Sequence, residues 1–89
     1  MIKKNIRIQN KLGLHARASM RLLDCANRFA STIEIQFGKR TIDAKSIMDL
    51  LTLGAILGSE ITLIVNGPDE DVAITTLTQL IDGKFGESE

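Results

Sequence analysis

The spacing of apolar residues changes several times along this chain, and each change marks a new structural element. Ile2, Lys4, Ile6 and Ile8 fall on one side of an alternating segment, with Lys3, Asn5 and Arg7 on the other. A period of two places successive side chains on opposite faces, so the segment reads as a strand with one buried face. From Ala16 the repeat lengthens. Leu22, Ala26, Phe29 and Ala30 recur at helical spacing with Ser19 and Leu23 beside them, while Arg21, Asp24 and Arg28 lie toward solvent. This spacing predicts a helix from Ala16 to about Asn27 or Phe29. Alternation returns over Thr32–Phe37, where Ile33, Ile35 and Phe37 share a face. Gly38 and Lys39 form a hairpin turn, and Arg40–Asp43 is the return strand.

The second half repeats the change of period. Ser46, followed three residues later by Asp49 and then by Leu50 and Leu51, has the pattern of a capping box opening a short helix. Ile47, Leu50 and Leu51 would face inward, and Gly54 or Gly58 would end the helix. Ile61–Val65 is nearly all apolar and reads as a central strand. Asn66, Gly67 and Pro68 break it; Pro68 suits the first turn of a following helix, and Asp69, Glu70 and Asp71 suit the positive end of its dipole. Val72, Ala73, Leu77, Leu80 and Ile81 mark that helix's apolar face, Asp82 and Gly83 close it, and Lys84 to Glu89 reads as a loose tail.

The predicted order is β-α-β-β-α-β-α in one α+β domain spanning residues 1–89. Each strand has a single apolar face, which implies an open-faced sandwich: a four-stranded antiparallel sheet covered on one side by three helices. Composition narrows the function. Eleven Lys and Arg balance 11 Asp and Glu, and Trp and Tyr are absent. That argues against the basic field and aromatic platforms of nucleic-acid binding, and against a polybasic membrane anchor. One Cys and one His leave no intrachain disulfide and no Cys/His zinc site. Cys25, three residues after Leu22 and four before Phe29, reads as a half-buried packing residue. Asp69, Glu70 and Asp71 lack the glycine spacing of a calcium loop. No metal and no cofactor is expected. No apolar run has the ~18 residues of a membrane span, and Met1–Gln9 has no signal-type apolar core, so a cytoplasmic location is expected.

The chemistry concentrates at the first helix. The sole histidine, His15, precedes its N-terminus within Gly13-Leu14-His15-Ala16-Arg17. A lone histidine in a small chain is most often an ordinary surface or core side chain. Here, however, the free backbone N–H groups of Ala16 and Arg17 would point toward the imidazole, and helix N-termini bind anions. A cation is disfavoured in a helix's first turn unless it has a task, and the Arg17 guanidinium can grip phosphate oxygens. An unperturbed imidazole titrates at about pH 6.5, so its neutral, nucleophilic form is abundant near neutrality.

The stretch Asn10-Lys11-Leu12-Gly13-Leu14-His15-Ala16-Arg17-Ala18-Ser19-Met20 resembles the active-site segment of the HPr family, histidine phosphocarriers of the bacterial phosphotransferase system. Lys45-Ser46-Ile47-Met48 resembles that family's second signature, and the element order agrees over nearly the whole chain. The resemblance implies that His15 accepts a phosphoryl group on Nδ1 from Enzyme I, supplied from phosphoenolpyruvate, and passes it to a histidine of an EIIA-type protein. Arg17 would stabilise the phosphoryl group. Ser46 would be a site of HPr kinase/phosphorylase, although its place as a helix cap also explains it fully. Met20, Ile47, Met48 and Leu51 would form the docking patch, with ordinary packing favoured for Leu51, and Arg21, Arg28 and Lys45 an interrupted basic rim. A carrier meeting two partners in turn is expected to be a monomer. Relatives usually carry Pro where this chain has Ala18; Ala keeps a helical backbone and restores an N–H donor. The segments 10–13 and 83–87 lean toward the nitrogen-related branch. A regulatory module acting through Ser46 and an unrelated ligand-binding domain are the rival readings.

Overall fold

The computed structural model describes residues 1–89. Its elements are β1 (Ile2–Arg7), α1 (Ala16–Ala26), β2 (Thr32–Phe37), β3 (Arg40–Asp43), α2 (Ile47–Leu51), β4 (Glu60–Asn66), α3 (Glu70–Asp82) and a closing 3-10 turn over Lys84–Gly86. The strands form one sheet in the order β1-β4-β2-β3, and every neighbouring pair is antiparallel. The near-continuous apolar run of β4 is therefore central, as its composition predicts. β2 and β3 have the expected bounds, and Gly38 turns between them at φ +61°, a backbone conformation that glycine adopts without a Cβ penalty.

Alternation along the strands turns one face of the sheet inward. Ile6, Ile8, Ile33, Ile35, Ile42, Ile61, Leu63 and Val65 are buried and join a single apolar cluster with Ala18, Leu22, Cys25 and Ala26 of α1, Leu50 of α2, and Ala73, Ile74, Leu77 and Ile81 of α3. Lys3, Asn5, Arg7, Glu34 and Gln36 are exposed, and Arg7 pairs with Glu60 across the strands at 2.8 Å. Burial pushes the Cys25 thiol pKa up, against the pull of Arg28.

Several local readings need correction. Leu51 was expected inward but is 46% exposed, and Ile47 is only partly buried. A helix of a single turn and a half cannot bury three of five residues, so Leu50 alone points into the core. The capping box is half formed. Ser46 Oγ accepts the Asp49 N–H at 3.4 Å, but the Asp49 carboxylate reaches past the cap to the Asp43 N–H at 3.3 Å. Pro68 lies just outside α3. The cap residue Asp69 makes no side-chain bond to its own helix; it accepts instead from the N–H groups of Ala30 and Ser31, at 2.8 and 2.9 Å, joining the α1–β2 and β4–α3 loops.

The largest correction concerns the expected loose tail: Lys84–Gly86 forms a closed turn and Glu87 is half-buried, while Ser88 and Glu89 are exposed. Phe85 is 1% exposed and belongs to the main apolar cluster. Lys84 and Phe85 take φ of 59° and 55°, a left-handed backbone that costs about 1–2 kcal/mol per non-glycine residue. Burying a phenylalanine ring contributes about 1.5–3 kcal/mol. The Arg21 guanidinium adds a charge-assisted hydrogen bond to the Phe85 carbonyl, worth about 1.5–3 kcal/mol. Together these gains offset the strain and hold the turn closed.

Phe85→Ala is expected to lower unfolding stability by about 3–5 kcal/mol, because it removes a fully buried ring with little room for collapse. Urea unfolding monitored by circular dichroism checks this; a loss below ~1 kcal/mol would contradict the packed turn.

Candidate functional site

His15 is the N-cap residue of α1, with extended backbone angles of φ −79° and ψ −177°. Its carbonyl accepts the first helical hydrogen bond, from the Ser19 N–H at 2.8 Å. Its ring, in the role usually taken by a Ser or Asp oxygen, accepts the Arg17 N–H at Nδ1, 3.3 Å away. The backbone N–H groups of Ala16 and Ala18 make no hydrogen bond within the chain. An open donor on exposed Ala16 and one held by the imidazole therefore lie at the positive end of the helix dipole, whereas Ala18 has no exposed surface.

The preceding loop fixes this entry. Gly13 has φ +66°, and a Cβ there would come within 2.7 Å of the Ala55 carbonyl and 2.8 Å of Ile56 Cα. Both are backbone atoms, so only glycine lets the 10–13 loop lie against residues 55 and 56. The Leu14 N–H then donates to the Ala55 carbonyl at 3.0 Å, and Ser19 Oγ donates to the Leu14 carbonyl at 3.3 Å.

Two residues that the sequence reading left out of the site complete it. Asn10 is fully buried, and its amide donates to the Gly13 carbonyl at 2.7 Å and to Glu87 Oε1 at 2.9 Å. The other Glu87 oxygen, Oε2, faces His15 Nε2 in a close contact. The Glu87 carboxyl is held below its ordinary value of 4.5, chiefly by the Asn10 amide and then by His15 and Arg17, while burial opposes the shift. The ring is thus gripped at both nitrogens, and its side chain is 26% exposed.

Around it lies an open depression lined in part by Lys11, Leu12, Arg17, Arg21 and Glu87. Arg17 is exposed, and its guanidinium makes no ion pair within the chain. It is an unpaired cation beside the imidazole, in a cleft shared with the Glu87 carboxylate. No three His, Cys, Asp or Glu side chains converge as a metal site.

The remaining sequence candidates separate into two groups. Met20, Met48 and Leu51 are 46%, 67% and 46% exposed, and α1 packs against α2. Leu12, Ile56 and Leu57, which the sequence reading did not single out, are also exposed, at 68%, 68% and 53%, with residues 55 and 56 against the 10–13 loop. The expected basic rim is divided: Arg21 shares the cleft of His15, and Lys45 lies away from it. Arg21 is tied to the Phe85 carbonyl, and Lys45 Nζ donates to the Phe29 carbonyl at 2.7 Å, beyond the opposite end of α1. Ser46 sits beside Lys45 as the α2 cap, half-buried. No helix is long and apolar enough to cross a membrane.

The fold and site define a small α+β domain with an imidazole capping its first helix beside an open cleft. Known proteins share the fold and much of the sequence. The family profile described as the PTS HPr component phosphorylation site matches residues 2–83. The phosphocarrier protein HPr of Cupriavidus necator is 46% identical over 89 residues, covering 100% of both chains. The phosphocarrier protein NPr of Shewanella violacea is 39% identical over 87 residues, covering 98% of this chain and 96% of its own. The crystal structure of HPr-C-His from Thermoanaerobacter tengcongensis superposes with a TM-score of 0.96 at 39% identity, covering 100% of both chains. The chain belongs to the HPr family of phosphocarrier proteins of the phosphotransferase system.

Proposed function

We propose that this chain carries a phosphoryl group on His15 Nδ1, receiving it from phospho-Enzyme I and delivering it to a histidine of an EIIA-type protein. The observation that carries the reading is the Arg17 N–H directed at Nδ1. A donor there requires a lone pair on that nitrogen, and a lone pair is what attacks phosphorus. The incoming group brings oxygens to the same place. The Arg17 N–H can move from Nδ1 to a phosphoryl oxygen with little backbone change, and the open N–H group of Ala16 lies beside it. The unpaired Arg17 guanidinium supplies the mobile positive charge. Transfer between two histidines exchanges one N–P bond for another, so positioning and charge stabilisation are the work the site must do.

The exposed apolar residues Met20, Met48, Leu51, Leu12 and Ile56, with Ile47 at their edge, are the surface on which successive partners dock. Methionine suits a face that must accept more than one shape. A monomer in the cytoplasm leaves this face free. Ala18, in place of the family's usual proline, keeps the helical turn and packs into the core.

Ser46 is the natural second site. Its hydroxyl caps α2, and a phosphate is tolerated at a helix start, so modification there would act through charge near the docking face. Purified HPr kinase/phosphorylase with ATP is expected to add one phosphate to wild type and none to Ser46→Ala. An unmodified wild type rules out this control.

Intact-mass measurement after incubation with phosphoenolpyruvate and Enzyme I tests the carrier role. Wild type is expected to gain one acid-labile phosphoryl group, His15→Ala none, and Arg17→Ala to accept it at least roughly tenfold more slowly. Phosphorylation of His15→Ala at the wild-type rate would refute the assignment.

A further inference from the structure

The ring of His15 is held by two neighbours that agree on where its proton sits, and only one of them belongs to the helix. We propose that Glu87 is a positioning residue for phosphoryl transfer: it keeps the His15 proton on Nε2, so that the attacking lone pair stays on Nδ1. This inference rests on the carrier reading above and gives it a further component.

The Asn10 side chain is fully buried, and its amide nitrogen faces two acceptors, the Gly13 carbonyl and Glu87 Oε1. Those partners fix the amide's orientation, since turning it over would bring its oxygen against both of them. Glu87 Oε1 is thereby committed to Asn10, which leaves Oε2 for His15. An ionised carboxylate only accepts, and the Asn10 amide keeps the Glu87 carboxyl ionised. The hydrogen between Oε2 and Nε2 therefore comes from the ring. At the opposite nitrogen the Arg17 N–H donates, which also requires the proton to be elsewhere. Glu87 in turn is delivered by the closed turn at Lys84–Gly86, which Phe85 and Arg21 hold in place.

The transfer step balances with this arrangement. The Nδ1 lone pair forms the new N–P bond, and the donor's own N–P bond breaks, returning its electron pair to the donor's nitrogen. His15 keeps its Nε2 proton, so the ring acquires one positive charge as the bond forms. That charge develops directly opposite Glu87, which stabilises it. Lys11, Arg17 and Arg21 also line the cleft, so Glu87 provides the negative partner the ring would otherwise lack; Glu89 is turned toward Lys11, 3.6 Å away.

Two substitutions separate positioning from packing. In Glu87→Gln the single side-chain oxygen is claimed by Asn10, which leaves the amide NH2 facing Nε2. A donor there draws the proton to Nδ1, where it opposes both the Arg17 N–H and the attack on phosphorus. In Glu87→Ala neither tautomer is imposed. The expected order of phosphoryl acceptance from phospho-Enzyme I is wild type, then Glu87→Ala, then Glu87→Gln, the last slower by about 10–100-fold, as for other partners that orient a functional histidine. A carboxylate that merely packs the turn would give the reverse order, because alanine removes more contact than glutamine. Nitrogen-15 shifts of the His15 ring at neutral pH read the tautomer directly: Nε2–H is expected in wild type and a gain of Nδ1–H in Glu87→Gln. Wild-type acceptance with an unchanged tautomer and rate in Glu87→Gln, or with Glu87→Ala the slower variant, would overturn the role of Glu87 alone. A wild type that accepts no phosphoryl group would overturn the carrier reading and this inference with it.

Discussion

A single backbone donor, the N–H of Arg17 aimed at His15 Nδ1, determines what the rest of the molecule can do. It makes the imidazole the N-cap of α1. A hydroxyl or carboxylate in that place would satisfy the helix start with a flexible group. An imidazole does so with a rigid ring, and its Nδ1 then lies beside the unused Ala16 donor of the first turn. In the proposed carrier the cap and the nucleophile are the same atom. Everything that fixes the start of α1 therefore also aims the chemistry: Gly13, which alone fits the loop against residues 55 and 56, and Ala18 and Leu22, which seat the helix on the sheet.

The chain's far end completes the site. A buried phenylalanine outweighs a strained left-handed turn, and the turn places a carboxylate on the ring's second nitrogen. The link runs from the apolar core through Phe85 and Glu87 to the ring of His15. Stability and orientation are coupled here because the same short segment supplies both. Asn10 closes the circuit by joining the loop before α1 to that segment through one amide.

Much of this architecture was legible in the sequence because its signals are local. Strand alternation located β2 and β3 to the residue, the continuous apolar run marked β4 as central, and the change of period at Ala16 started α1 where the structure starts it. His15 and Arg17 were legible for the same reason: both lie within a few residues of one helix start. What escaped depends on contacts distant in the chain. Glu87 meets His15 across 72 positions, and Lys84 to Glu89, in which Phe85 is the one apolar side chain, carries no periodic pattern to reveal that Phe85 is buried. Leu51 was misplaced because a five-residue helix is too short for periodicity to choose its inner face. The basic rim is divided because Arg21 turns to the Phe85 carbonyl beside the His15 cleft and Lys45 to the Phe29 carbonyl away from it, contacts that charge counting does not reveal.

The central claim is that phosphate is carried on the nitrogen facing the helix start. Phosphorus-31 and nitrogen-15 NMR of the phosphorylated wild-type protein tests it most directly. Phosphohistidine substituted at Nδ1, with a proton coupled to Nε2, is the predicted product. Substitution at Nε2 would contradict the account, because it would require Glu87 to leave the ring and would leave the Arg17 donor with no part in the reaction.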